Sequence, residues 1–225
     1  MEPLQRVGQA EPRTYWSLYA MGKRLADFVA ACVVLLVAAP LMIVIAIGIR
    51  MSMGSPILFR QRRPGLHGRF FTVLKFRTMC VDPERERQSQ FDAHRVTPLG
   101  RILRQTSLDE LPQLITVLCG DMSLVGPRPL LPEYLPYYSK REALRHTVRP
   151  GITGWAQVNG RNRLSWEQRL ALDVWYTEHQ SMLLDLRILY LTAIKVLQRR
   201  DINLDPQVNP LPLDQERAHS ATPPL

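Results

Sequence analysis

The sequence predicts an α+β fold that is mostly helical. Three observations carry this: one apolar run near the N-terminus, one pair of β-rich runs flanking a Pro-Gly loop, and helical periodicity over much of the remainder. A chain of 225 residues has room for one domain with a real core and some appendages.

The elements follow in order. Residues 1–20 read as a polar tail, loose until about Tyr15. The next segment, 21–50, contains "FVAACVVLLVAAPLMIVIAIGI" from Phe28 to Ile49, 22 residues without a charge. That suffices to cross a hydrocarbon core about 30 Å thick. It does not read as a cleaved signal peptide, being too long and followed by Arg50 rather than a small-residue cleavage site. Lys23 and Arg24 precede it, and Arg50, Arg60, Arg62 and Arg63 follow, so both flanks carry the positive charge of a cytoplasmic side. Pro40 lies near the middle, lacks an N–H and crowds the carbonyl of Leu36. Two readings stand open: a kinked spanning helix, or a re-entrant segment that bends at Pro40 and returns to the same face.

Residues 51–202 read as the main domain. "ILFRQRR" and "RFFTVLKFRTM" flank Pro64-Gly65-Leu66-His67-Gly68 and predict a β-hairpin over about 56–79. Residues 82–95 are charged and without apolar period, a solvated helix or loop. A helix over about 109–119 ends at Gly120. "GPRPLLPEYLPYY", 126–138, is too rich in proline for one helix, and 149–162 reads as a loop. Residues 165–180 are helical, with a capping box at Ser165 and Gln168. "LLDLRILYLTAIKVL", 183–197, carries Asp185, Arg187 and Lys195 and reads as an amphipathic helix, on a membrane or against the core. Residues 203–225 are Pro-rich and polar and are expected to be disordered.

The charge is distinctive: 29 Lys and Arg against 20 Asp and Glu, a net +9. Only Lys23, Lys75, Lys140 and Lys195 are lysines. An excess of arginine suits phosphorylated ligands or an anionic membrane surface, although arginine-biased codon usage gives the same ratio. Cys32, Cys80 and Cys119 are odd in number and form no C-x-x-C pair, which argues against a disulfide scaffold or a zinc site. The histidines show no ligand or triad spacing. Nucleic acid is not an expected partner, because the arginines are dispersed among Pro/Gly loops rather than along one recognition helix.

Four polar clusters remain. In "TSLDELPQL", 106–114, Ser107 and Glu110 have capping-box spacing, but Pro112 moves the expected helix start to Asp109 or just after. Both carboxylates then sit at the positive end of the helix dipole, which favours their ionised form, as a nucleophile or a Mg²⁺ ligand requires. Capping alone accounts for the stretch equally well. "KFRTM" places Lys75 and Arg77 on one face of a strand. "GDMSLVGPRP" stiffens Arg128 between two prolines, ready to grip a phosphate or merely to sit in water. "VRPGITGWAQVNGR" offers Arg149, Gln157, Asn159 and Arg161 between glycines, a mix suited to a nucleotide or sugar, though without a P-loop. Asp173, in "LALDVWY", is a helical surface acid by default and joins these as a substrate-binding candidate.

These four motifs, in this order after an N-terminal apolar segment, resemble the bacterial sugar transferase family, the monotopic phosphoglycosyl transferases, and in particular its small single-domain PglC-like members. The resemblance covers about residues 20–200 and gives the expectation of a chain without the extra N-terminal spans of larger members. It implies transfer of a sugar-1-phosphate from a UDP-sugar to undecaprenyl phosphate, with release of UMP. It further implies Asp109 as nucleophile, Glu110 as partner acid, and Mg²⁺ held at both. Lys75, Arg77, Arg128, Arg149 and Arg161 would offset the charge of two polyanionic substrates. The implied architecture is a re-entrant membrane helix, one β-hairpin, and interfacial amphipathic helices around an active site at the cytoplasmic face of the bacterial inner membrane. Homo-oligomerisation stays open. One departure concerns the bend: Ala39 precedes Pro40 where PglC-like members carry Ser, so no hydroxyl is there to bond a freed carbonyl. A catalytically inert membrane adaptor with a basic face is the alternative.

Overall fold

The computed structural model describes residues 14–80, 95–160, 163–198 and 212–220. Most of the charged segment after Cys80, Arg161, and residues 203–211 of the tail lie outside these. The fold is α+β and mostly helical. Helix α1, Thr14–Met53, holds Pro40 within it and is long and apolar enough to cross a membrane, with a peak mean hydropathy of 3.0. Strands β1 (Leu58–Pro64) and β2 (Phe70–Phe76) form the expected antiparallel hairpin, with Leu58 opposite Phe76 and Pro64 opposite Phe70.

After the hairpin come α2 (Pro98–Thr106), a 3-10 turn (Leu108–Glu110) and α3 (Gln113–Cys119). Thr97 caps α2 by accepting from the Gly100 amide. Strands β3 (Ser123–Val125) and β4 (Gly151–Thr153) form a two-stranded parallel pair where the sequence suggested only loops. Strands of three residues are too short to show a periodicity. Helices α4 (Trp155–Val158), α5 (Trp166–Glu178) and α6 (Met182–Leu197) follow, and the Ser165–Gln168 capping box is present.

The expectation of disorder beyond residue 203 needs correction for one stretch. Leu213–Ser220 forms a helix, α7, because Leu213 is fully buried against Tyr134, Trp166 and Leu170. Burying a leucine there is worth about 1.5–3 kcal/mol, enough to hold a short polar helix in place. Arg217 of α7 also pairs with Glu142 at 2.5 Å.

Helix α1 is docked by polar contacts near its start and by apolar packing near its end. Near its start, the Arg24 guanidinium donates to the carbonyls of Val117 (2.5 Å) and Leu118 (2.9 Å) at the C-terminus of α3, where Val117 also accepts from the Gly120 amide. Asp27 accepts from the Ser123 hydroxyl (2.6 Å) and the Leu124 amide (3.3 Å). Lys23 (2.6 Å), Tyr19 (3.1 Å) and Tyr176 (2.7 Å) all donate to the buried Asp185 of α6. Near its end, Ile45 and Ile49 pack with Phe76 and Leu103. Between the two docks the helix is bare: Leu36 is 79% and Val37 76% exposed. On α6, Leu183, Leu186, Tyr190 and Leu197 are exposed too, while Ile188 is buried, so this helix is amphipathic as the sequence suggested.

Asp185 gathers three donors, so Asp185→Ala takes one acceptor from Lys23 and from two tyrosine hydroxyls, while Tyr176 keeps the Val125 carbonyl and Lys23 the more distant Asp27. Removing one partner of a buried pair costs about 3–5 kcal/mol. The variant should therefore melt at a clearly lower temperature in detergent, by differential scanning fluorimetry or calorimetry. A melting temperature equal to that of the unaltered protein would show that the pin is not stabilising.

Candidate active site

Three separate pieces of chain deliver the site. Lys75 comes from β2, Asp109 and Glu110 from the 3-10 turn, and Arg128 from the loop after β3. The turn exists because α2 stops at Ser107, whose left-handed backbone (φ 56°, ψ 16°) costs a non-glycine residue about 1 kcal/mol. Pro112 then stands at the N-cap of α3. This corrects the sequence expectation in two ways. Ser107 makes no capping hydrogen bond, and the two carboxylates precede α3 rather than occupying its first turn. The dipole of so short a helix is therefore not what sets their charge.

Neighbouring cations set it instead. The Glu110 carboxylate, 11% exposed, accepts from Lys75 Nζ at 2.7 Å and from Arg128 Nη2 at 2.6 Å; its other oxygen lies 3.5 Å from Arg128 Nη1. Arg128 thus grips it with a two-pronged fork. Burial alone would raise the pKa of Glu110, but the charges of Arg128 and Lys75 overcome it and hold the carboxyl far below its usual range. Asp109 is the opposite case. Among the described residues its carboxylate accepts no hydrogen bond and makes no ion pair, and burial, with the adjacent Glu110 charge, pushes its pKa up to about 6. Lys75, Arg104 and Arg128 oppose that rise without cancelling it. The dyad is an ionised, tied Glu110 beside an untied and more basic Asp109.

The loop that presents Arg128 is built on backbone contact. The Gly126 amide donates to the Thr153 carbonyl (2.9 Å), and the Gly151 amide to the Pro127 carbonyl (3.0 Å). A Cβ on Gly126 would stand 2.4 Å from the Arg149 carbonyl oxygen, and one on Gly151 2.1 Å from the Gly126 nitrogen. Only glycines permit that approach. Arg145 completes the clamp: its Nη2 donates both to the Arg128 carbonyl (2.7 Å) and to the buried Asp173 (2.7 Å).

Several sequence candidates make hydrogen bonds within the fold. Arg77 does not share a task with Lys75, because β2 ends at Phe76. Its guanidinium is buried and donates to the carbonyls of Met53, Gly54 and Ser55, closing the C-terminus of α1. Asp173 is not a surface acid but the internal partner of Arg145. Arg149 donates from Nε to the Gly120 carbonyl (2.8 Å), Gln157 to the Ile152 carbonyl (3.0 Å), and Asn159 to the Trp155 carbonyl (2.8 Å). Arg161 lies outside the described residues. Sequence reading missed Arg63, Arg104, Arg145 and Arg169. Arg104 bears on Asp109; Arg63 and Arg169 bear on Arg128. Arg169 was findable, standing four residues before Asp173 on the same helical face.

Among the described residues no three His, Cys, Asp or Glu side chains gather as a metal set. Both oxygens of Glu110 already face cations, so Asp109 is the donor available to a divalent ion. One carboxylate suits Mg²⁺ that takes its other ligands from phosphate oxygens and water.

The model of the family described as bacterial sugar transferase matches residues 18–199. The chain is 52% identical over 175 residues to the uncharacterized sugar transferase EpsL of Bacillus subtilis, covering 78% of this chain and 87% of that protein. It is 42% identical over 193 residues to the UDP-glucose:undecaprenyl-phosphate glucose-1-phosphate transferase of Xanthomonas campestris pv. campestris, covering 81% of this chain and 40% of the relative. A protein of the same name from Caulobacter vibrioides is 44% identical over 185 residues, 78% and 69% of the two chains. The chain thus spans most of EpsL and less than half of the Xanthomonas protein.

A carboxyl-carbon NMR titration of the protein labelled at aspartate should show Asp109 titrating near pH 6. Because the Glu110 charge raises that value, Glu110→Gln should lower it, and Lys75→Met should raise it. The sign for stability follows: with a folded value above the ordinary 3.8, the contribution of protonated Asp109 is full below about 3.8 and lost as pH rises through about 6. An Asp109 that titrates below pH 4 would overturn this electrostatic picture.

Proposed function

We propose that this chain, which belongs to the bacterial sugar transferase family, is a membrane-associated phosphoglycosyl transferase that moves a sugar-1-phosphate from a UDP-sugar to undecaprenyl phosphate. The observation that carries the reading is the asymmetry of the dyad: Glu110 held by Lys75 and Arg128, Asp109 left untied. A carboxylate with no competing hydrogen bond is the better nucleophile, and the cations beside it are placed to neutralise phosphate oxygens.

The steps balance simply. An Asp109 carboxylate oxygen attacks the β-phosphorus of the UDP-sugar. The bond from that phosphorus to the bridging oxygen breaks, and UMP leaves with the electron pair. The phosphate oxygen of undecaprenyl phosphate then attacks the aspartyl-bound phosphorus, the Asp109 carboxylate departs, and undecaprenyl-diphospho-sugar is formed. Arg128 and Lys75 orient the transferring phosphate, and Glu110 fixes both cations. Mg²⁺, held by Asp109 together with donor phosphate oxygens, would supply further charge neutralisation.

A re-entrant α1 is part of the proposal. Its support is that both ends of the helix dock on one unit: Ala31 and Ile45 belong to different packed clusters, and Leu111, next to the dyad, packs against both. A helix crossing the bilayer would put these clusters on opposite sides of it. The re-entrant arrangement keeps Lys23, Arg24 and Arg50 on one face, as their charges prefer.

Asp109→Asn should abolish UMP release from a UDP-sugar in the absence of lipid acceptor. Undiminished release from that variant removes Asp109 as nucleophile. An inert membrane adaptor would release no UMP from any member of a UDP-sugar panel. For topology, single cysteines placed at Met21 and Met51 of a cysteine-free variant should both react with an impermeant maleimide only after the cytoplasmic side is opened. Labelling of one of them from outside intact cells rejects the re-entrant path.

A further inference from the structure

Helices α1 and α6 are pinned together where Lys23 and Tyr19 meet Asp185. Beyond the pin they enclose a cleft of about 390 Å³. Ala30 and Val34 line it from α1, Leu189 and Val196 from α6, and Leu124 and Ile152 lie on the β3–β4 side. Its lining is mostly apolar, and its inner wall includes Glu110 itself. Outside the cleft, both helices continue as bare apolar surface: Val33 and Val37 on α1, Leu186 and Tyr190 on α6.

Such a cleft is unsuited to the donor. A nucleoside diphosphate sugar is polar along its whole length and would bury unsatisfied groups against these side chains. It suits an amphiphile with an anionic head and a long branched hydrocarbon tail. Resting on the transferase reading above, we propose that this cleft receives the first isoprene units of the polyprenyl phosphate acceptor. The head then lies beside Lys75, Arg128 and the dyad, and the tail leaves sideways between α1 and α6 into the hydrocarbon. The apolar walls match the tail, and the opening lies between surfaces bare enough to face lipid. The tail direction also orients the attack, because a phosphate tethered by an inserted chain approaches Asp109 from the Glu110 side only.

The test separates the two half-reactions, with purified protein in detergent. Ala30→Phe and Val196→Trp fill the cleft from opposite walls, and Val37→Phe enlarges the bare outer face as a control. The two cleft variants should raise the KM for undecaprenyl phosphate by about tenfold or more, the scale of two lost methylene burials. Acceptor-independent UMP release should move less than about twofold, a shift below 0.5 kcal/mol. Val37→Phe should leave both near their starting values. Melting temperatures identify a variant that has lost its fold, and the remaining cleft variant then decides. An unchanged KM for undecaprenyl phosphate in a folded cleft variant overturns the proposal, as does an equal fall in both half-reactions. If the unaltered protein releases no UMP from any UDP-sugar, the transferase reading falls on its own. Binding of labelled undecaprenyl phosphate then still decides the cleft: loss in Ala30→Phe supports it and retention overturns it.

Discussion

One carboxylate holds the site together. Glu110 lies 2.7 Å from Lys75 and 2.6 Å from Arg128. Those three residues come from the hairpin, the 3-10 turn and the loop beyond β3. Among the described residues no β-ladder joins those three pieces; apolar packing of Phe76 with Leu108 and Leu111, and of Phe71 and Val73 with Leu114 and Leu124, brings them together, and charge fixes the side chains at their meeting point. At Glu110 and Arg128 the attraction outweighs desolvation, helped by the two-pronged geometry on the arginine side, whereas at Lys75 burial prevails and lowers its pKa. Neutralising Glu110 would leave two cations facing each other at the point where three elements converge. It would also lift the repulsion that keeps Asp109 basic. Assembly and reactivity of the dyad therefore share one cause.

The legibility of this site in the sequence was uneven. The hairpin, the α5 helix with its capping box and the apolar α1 were readable because each is written in a local code of periodicity, cap or turn. The dyad was readable as a pair of acids but not as a pair of unequal ones, since the inequality comes from Lys75 and Arg128, 35 and 18 residues away. Capping-box spacing at Ser107 misled for a definite reason. A left-handed residue between two helices reproduces the spacing without the geometry. Asp173 was read as a surface acid because exposure was assumed from polarity, and Arg77 was paired with Lys75 by carrying strand alternation past Phe76, where β2 ends. Both are buried, each held by partners that only the tertiary fold supplies.

The arginine excess acquires a different meaning in the structure. Arg24 and Arg77 bond the carbonyls at helix ends, Arg145 ties a loop carbonyl to a buried acid, and Arg149 reaches the carbonyl after α3. A planar fork with several donors can close a helix terminus in a way a lysine cannot. Much of the positive charge is thus structural mortar, and the part that faces the dyad is smaller than the net charge suggests.

The contacts of α1 have a temporal side. Lys23 pairs with an acid 162 residues further along the chain, and Asp27 with a hydroxyl 96 residues away. During synthesis the apolar helix leaves the ribosome before α3, β3 and α6, so Lys23, Arg24 and Asp27 wait for their distant partners until those are made. The hydrophobic segment can reach the bilayer early, whereas its final seating must wait for α6. Exposure of the apolar segment and completion of the domain are therefore successive events, separated by the translation of the 162 residues between Lys23 and Asp185.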